Sequence, residues 1–236
     1  VSGGELKRVL HVGADPKKII FSGVGKSYDE ILLGMQNNIL SFNIESEAEV
    51  YRIEEIASSK NKVVDIAIRF NPEVDSGGHE YIKTGRKGDK FGISSDDSVL
   101  KIANYIYESK NLNLVGLACH IGSQIMDLES YRLTAKNIKE LSIKIKEIGN
   151  KLDFLDLGGG LGIPYENDKT PSPQDLISII SVRNISYKTF FKFNFLFNRI
   201  YNDKIIPIAV PLFKTNHLDL FHFLLSHQMI LLSEQY

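Results

Sequence analysis

Residues 154 to 165 read FLDLGGGLGIPY, an apolar run of strand type that delivers Asp156 and then four glycines within residues 158 to 162. Glycine tolerates positive φ and lets a ligand come close to the backbone N–H groups, so this strand end suits an anion. Asp156 to Gly162 also fits the D-x-G-x-G-x-G loop of a nucleoside-binding methyltransferase. That loop requires a helix to begin on the glycines and face the ligand with its N-terminus. IPYENDKTPSP follows here, with Pro164, Pro171 and Pro173, and a helix cannot readily start in it. A SAM-dependent methyltransferase is therefore the alternative reading from another functional class.

Upstream of the glycine run the chain alternates two kinds of segment. IIFSG (19 to 23), ILSFNIES (39 to 46), VVDIAIRFN (63 to 71), LVGLACHIG (114 to 122) and LDFLDLGG (152 to 159) are continuous apolar runs of the kind buried on both faces of a sheet. Between them lie helices. Leu133, Ile138, Leu141, Ile145 and Ile148 fall at helical spacing within 130 to 148, with Gly149 as the C-cap, and Ser46 with Glu49 forms a capping box on a helix to about Ser58. Strand and helix in this rhythm predict right-handed βαβ units and a parallel sheet.

After Gly162 the character changes. All 18 glycines lie at or before that residue, while eight of the 13 phenylalanines fall beyond it, so residues 178 to 236 are expected to form a divergent tail rather than more of the same sheet. FFKFNFLFNRIYNDKII and HLDLFHFLLSHQMILL show no helical or alternating period.

Lys+Arg 28 against Asp+Glu 29 leaves no basic excess for nucleic acid or an anionic membrane. No apolar run approaches the ~20 residues that span a bilayer. A single cysteine, Cys119, excludes a disulfide framework and a Cys-rich metal site and fits a cytoplasmic setting. The amino end, VSGGELKRVL, has neither signal-peptide architecture nor an initiating methionine and reads as a start in mid-domain.

Three further stretches are candidates for chemistry. SGVGKS (22 to 27) ends like a phosphate-binding P-loop, but the position that needs the earlier glycine is Ile20, so a turn after a strand is expected. His120 and Ser123 close the fourth strand around Gly122. If that strand and the next run parallel, the Ser123 hydroxyl and the glycine amides converge on the sheet face where α/β barrels bind ligands, and the His120 ring is free to stack on a flat heterocycle. Asn71 to Asp75, His79 to Tyr81 and Thr84 to Gly92 form a long polar loop after the third strand, a functional candidate on length alone.

SGGEL (2 to 6), FSGVGKS (21 to 27), FNIES (42 to 46), RFNPEVD (69 to 75), the H-x-Y-I-x-T-G…KFGI block (79 to 93), CHIGSQ (119 to 124) and LDLGGGLGIPY (155 to 165) together resemble the diaminopimelate decarboxylases. These are pyridoxal-phosphate-dependent decarboxylases with an alanine-racemase-like barrel. The resemblance runs over about 1 to 177; ornithine- and arginine-type decarboxylases, the alternative within the same class, share the histidine and glycine motifs but match the HEYIKTG…KFGI block less closely. It implies an α/β fold, an incomplete (β/α)8 TIM-type barrel from about the second strand to the seventh, with 1 to 177 as a partial cofactor-binding domain. It implies pyridoxal 5'-phosphate as cofactor and an amino-acid substrate, meso-2,6-diaminopimelate, decarboxylated to L-lysine. His120 would stack on the pyridine ring, Ser123 with Gly158, Gly159 and Gly160 would bind the phosphate, Arg69 would lie near the ring, and Lys90 would make an ion pair in a homodimer interface.

The same resemblance implies absences. The Schiff-base lysine of a Tyr-Ala-x-Lys-Ala-Asn type motif on the first barrel strand would precede residue 1, and Glu-Pro-Gly-Arg and Cys-Glu-Ser motifs do not occur in 163 to 236. No catalytic residue is therefore assigned, and the expectation is a chain inactive by itself.

Overall fold

A computed structural model describes residues 1–74, 91–164 and 169–181, together with the backbone of 191–192, 195–201 and 204–210. The expected alternation is present. Helix α1 (Gly3–His11) and a 3-10 turn (Pro16–Lys18) lead into β1 (Ile20–Phe21), followed by α2 (Tyr28–Gln36), β2 (Ser41–Ile44), α3 (Glu47–Ser59) and β3 (Val64–Arg69). Then come α4 (Asp96–Glu108), β4 (Leu112–Ala118), α5 (Leu128–Ile148), β5 (Phe154–Asp156), α6 (Pro173–Ser181) and β6 (Phe191–Lys192).

The six strands form one sheet in the order β1-β2-β3-β4-β5-β6, every pair parallel. Sequential order with a helical crossover after each strand is how a (β/α)8 barrel is laid down, and the fold is an incomplete barrel of that type. β7 (Phe195–Tyr201) and β8 (Lys204–Val210) pair antiparallel as a separate two-stranded sheet. This hairpin lies where the sequence offered no period, whereas β6, also beyond residue 178, adds a further strand to the parallel sheet, against the expectation that this part would contribute none.

The core lies between sheet and helices. Ile44, Ile66, Ile68 and Leu117 from the strands pack with Ile31, Ile53, Val99, Ile138 and Ile145 from the helices, all fully buried. Gly116 in β4 shows how tight this packing is, because a Cβ there would come within 2.5 Å of the Phe154 ring. Each helix begins on a short polar side chain: Ser2, Ser27, Ser46, Ser95 and Asp127 accept from backbone N–H groups of the first turns of α1 to α5. Gly149 ends α5 at φ 115°, the left-handed C-cap that its position predicts.

Two local expectations are corrected. Leu133 is 37% exposed, because the buried stripe of α5 runs through Tyr131, Thr134, Ala135, Ile138, Leu141 and Ile145 instead. The capping box at Ser46 is only half formed: its hydroxyl accepts from Glu49 N–H, but the Glu49 carboxylate turns inward to Lys26 and the Glu45 N–H. The complete box is at Ser27 and Glu30 on α2. Among the described residues no helix is long and apolar enough to cross a membrane.

Candidate functional site

Parallel pairing brings all strand C-termini to one rim, and the register decides which side chains stand level there. Arg69 pairs with Ala118 and Ala118 with Asp156, so the last residues of β3, β4 and β5 form one row. Ile44 pairs with Ile68, which sets Glu45 beside Arg69. The chain beyond this row forms the candidate site.

Past β4 and β5 the two strand ends stay joined. Cys119 N–H donates to Asp156 O at 2.8 Å, Ile125 N–H to Gly160 O at 2.8 Å, and Gly162 N–H to Ile125 O at 2.9 Å. Bare backbone is what permits this approach. Gly158 has φ 73°, and a Cβ on it would lie 2.6 Å from the Cys119 carbonyl oxygen and 2.9 Å from His120 Nδ1. Gly160 has φ 95°, and its Cβ would lie 1.9 Å from the Gly122 carbonyl oxygen. Neither position accepts a side chain without displacing main chain. His120, Ser123 and the glycine run are thus brought together, with Ser123 exposed at the rim and His120 half-buried behind it.

Three contacts fix the glycine turn. Gly158 N–H donates to Asp156 Oδ1 at 2.8 Å, the Tyr131 hydroxyl donates to Gly159 O at 2.9 Å, and Gly160 O accepts from Ile125 as above. Among the described residues Gly159 N–H and Gly160 N–H have no acceptor.

On the other flank of His120, the Arg69 guanidinium pairs with both Glu45 carboxylate oxygens at 2.9 and 3.0 Å and lies 5.2 Å from the centroid of the Phe91 ring. Glu45 also accepts from Gly23 N–H at 3.1 Å, which ties the ends of β1, β2 and β3 together. Burial, and then the Arg69 charge, hold the His120 imidazole below its ordinary titration range, with Glu45 opposing. Its ring is therefore neutral at physiological pH. Burial and the adjacent Asp156 push the Cys119 thiol up, so this sole cysteine is no thiolate nucleophile.

The Gly-Lys-Ser loop is occupied internally. Lys26, 1% exposed, donates to Gly23 O at 2.7 Å, Asn43 O at 2.6 Å and Glu49 Oε1 at 3.0 Å, leaving no ammonium proton for a phosphate. The loop is a turn after a strand, as its missing glycine predicts. The methyltransferase arrangement is absent as well. After Gly160 the chain pairs with Ile125 rather than starting a helix, and the next helix among the described residues is α6 at Pro173.

Of the polar loop after β3, Asn71 to Val74 and the return at 91 to 93 are held against the strand end, with Asn71 N–H donating to Ile93 O and Ile93 N–H to Arg69 O, both at 2.9 Å. His79, Tyr81 and Lys90 lie outside the described residues. Glu45 and Tyr131 carry structural weight at the site that residue patterns did not assign. Glu45 stands inside the quoted FNIES stretch, and Tyr131 sits on the buried stripe of α5.

The chain matches the family model of the pyridoxal-dependent decarboxylases, pyridoxal binding domain, over residues 1–195. It belongs to that family. Pyridoxal-dependent decarboxylases similar to it include the diaminopimelate decarboxylases of Haemophilus influenzae, 42% identical over 177 residues covering 74% of this chain and 42% of the relative, and of Aquifex aeolicus, 41% identical over 181 residues covering 76% and 43%. A similar solved structure is the diaminopimelate decarboxylase of Helicobacter pylori in complex with L-lysine, with TM-score 0.74 and 36% identity over 81% of this chain and 48% of that one. This chain accordingly spans less than half the length of these relatives.

Proposed function

We propose that this chain binds pyridoxal 5'-phosphate at the C-terminal ends of β3, β4 and β5, and serves the decarboxylation of meso-2,6-diaminopimelate to L-lysine. The observation that carries the reading is the pair of interlocked turns after β4 and β5, in a chain about 40% identical to named diaminopimelate decarboxylases. Such a rim is where ligands of α/β barrels bind.

The residues present fit the group. A phosphate would lie against the Ser123 hydroxyl and the Gly158 to Gly160 backbone, where two amides lack an acceptor among the described residues. The neutral His120 ring would flank the pyridine, and an imidazole kept uncharged stacks on it without bringing a second cation beside Arg69. Arg69 is already paired to Glu45, so it enters the site as an oriented group rather than a free charge. When bound, the cofactor supplies the electron sink for the carbanion left as an α-amino acid loses carbon dioxide. Binding it, orienting it and keeping water off its buried flank fall to the chain. The same reading takes residues 1 to 177 as the cofactor-binding part and 178 to 236 as a divergent tail, in a cytoplasmic homodimer with Lys90 at its interface.

Equilibrium dialysis with pyridoxal phosphate and, separately, with pyridoxal tests the cofactor site. Retention of the phosphorylated form at least about tenfold more tightly is expected, a difference of about 1.4 kcal/mol. Equal retention of the two would contradict it. The substrate is tested on the protein purified from its source, by carbon dioxide release from meso-diaminopimelate in preference to L-ornithine or L-arginine.

A further inference from the structure

Among the described residues Tyr131 is the largest of the fully buried side chains, 1% exposed, in the first turns of α5. Its ring packs in the hydrophobic core, yet its hydroxyl leaves that core to donate to Gly159 O at 2.9 Å, across 28 residues of sequence. Burial pushes its ionisation well above the ordinary tyrosine range, so at neutral pH it remains a proton donor.

The consequence follows from peptide geometry. The chain contains no cis peptide bond among its described residues, and in a trans peptide the C=O and the following N–H point in opposite directions. Holding Gly159 O toward α5, on the helical layer, turns Gly160 N–H to the opposite side, away from that layer. The other two contacts of the turn hold the Leu157–Gly158 peptide through Gly158 N–H and the Gly160–Leu161 peptide through Gly160 O, and leave the Gly159–Gly160 peptide to Tyr131. With glycine on both sides, no side chain of its own resists its rotation.

We propose that Tyr131 is a positioning residue for the anion site: its hydroxyl orients the Gly159–Gly160 peptide so that Gly160 N–H faces the phosphate of the cofactor. The inference rests on the cofactor reading above and assigns to α5 a part in binding that no side chain at the rim supplies.

The test is Tyr131→Phe, which removes one oxygen and keeps the ring, followed by dialysis against pyridoxal phosphate and pyridoxal. The expected result is a five- to tenfold loss of affinity for pyridoxal phosphate with pyridoxal unchanged, the size of one oriented hydrogen bond. A role confined to core packing would weaken both ligands together and would overturn the proposal, as would a variant that binds pyridoxal phosphate like the unaltered chain. If the unaltered chain itself fails to prefer pyridoxal phosphate, the cofactor reading falls and the inference with it. A preference left undiminished by Tyr131→Phe sinks the inference alone. Amide hydrogen exchange in the unaltered chain gives a second readout that needs no variant. Gly160 N–H is expected to exchange freely and to slow at least tenfold with pyridoxal phosphate; slow exchange already present without it contradicts the orientation.

Discussion

At the residue scale, the site is defined by what cannot be added to it. Gly160→Ala puts a Cβ against the Gly122 carbonyl at a φ of 95° that L-residues avoid, so destabilisation of at least about 2 kcal/mol is expected in urea unfolding, together with loss of pyridoxal phosphate retention. His120 makes a prediction with a definite sign. Its folded-state pKa lies below its ordinary value of 6.5, so the unfolded chain binds more protons in the window between the two. Stability therefore falls as pH drops from about 6.5 through that window and is flat in this respect above it. Arg69→Gln removes the second cause of the depression, and proton NMR of the ring should show its midpoint rising; a midpoint unmoved by that change would refute the Arg69 coupling. The histidine, the serine and the glycines were legible in sequence because each sits in a short local pattern at a strand end. Glu45 and Tyr131 were not, because their partners Arg69 and Gly159 lie 24 and 28 residues away and meet them only after the sheet has formed.

At the element scale, the boundaries follow caps and periodicity, and the exceptions have causes. Glu49 was read as half of a capping box because serine and glutamate stand three apart, but a buried lysine competes for the same carboxylate and wins. Desolvation lowers the Lys26 pKa while Glu49 supports its charge, so each group depends on the other for a partner. Lys26→Met should therefore cost about 3–5 kcal/mol by leaving Glu49 buried and unpaired, and Lys26→Met with Glu49→Gln should cost less than the sum of the two single changes. Additive losses in urea denaturation would show that the pair does not couple the loop after β1 to α3. Leu133 was misplaced for a simpler reason: on α5 a leucine and a tyrosine compete for the buried stripe, and the tyrosine that reaches Gly159 occupies it.

At the scale of the whole molecule, strand order was readable because parallel strands buried on both faces announce themselves as continuous apolar runs joined by helices. The antiparallel hairpin of β7 and β8 was not. Its phenylalanines and isoleucines give neither a period of two nor one of 3.6. What the architecture does for function is to carry the turns after β4 and β5 to one rim, and the central claim is that a phosphate is held there. The most direct measurement is an amide spectrum of the chain labelled with 15N-glycine, which resolves 18 reporters, recorded as pyridoxal phosphate is added. The account predicts that Gly159 and Gly160 move most, with Gly122 and Gly158 beside them, while Gly23 and Gly25 of the Gly-Lys-Ser loop stay in place. Movement confined to Gly23 and Gly25, or no movement at the β5 turn at saturating ligand, would contradict it.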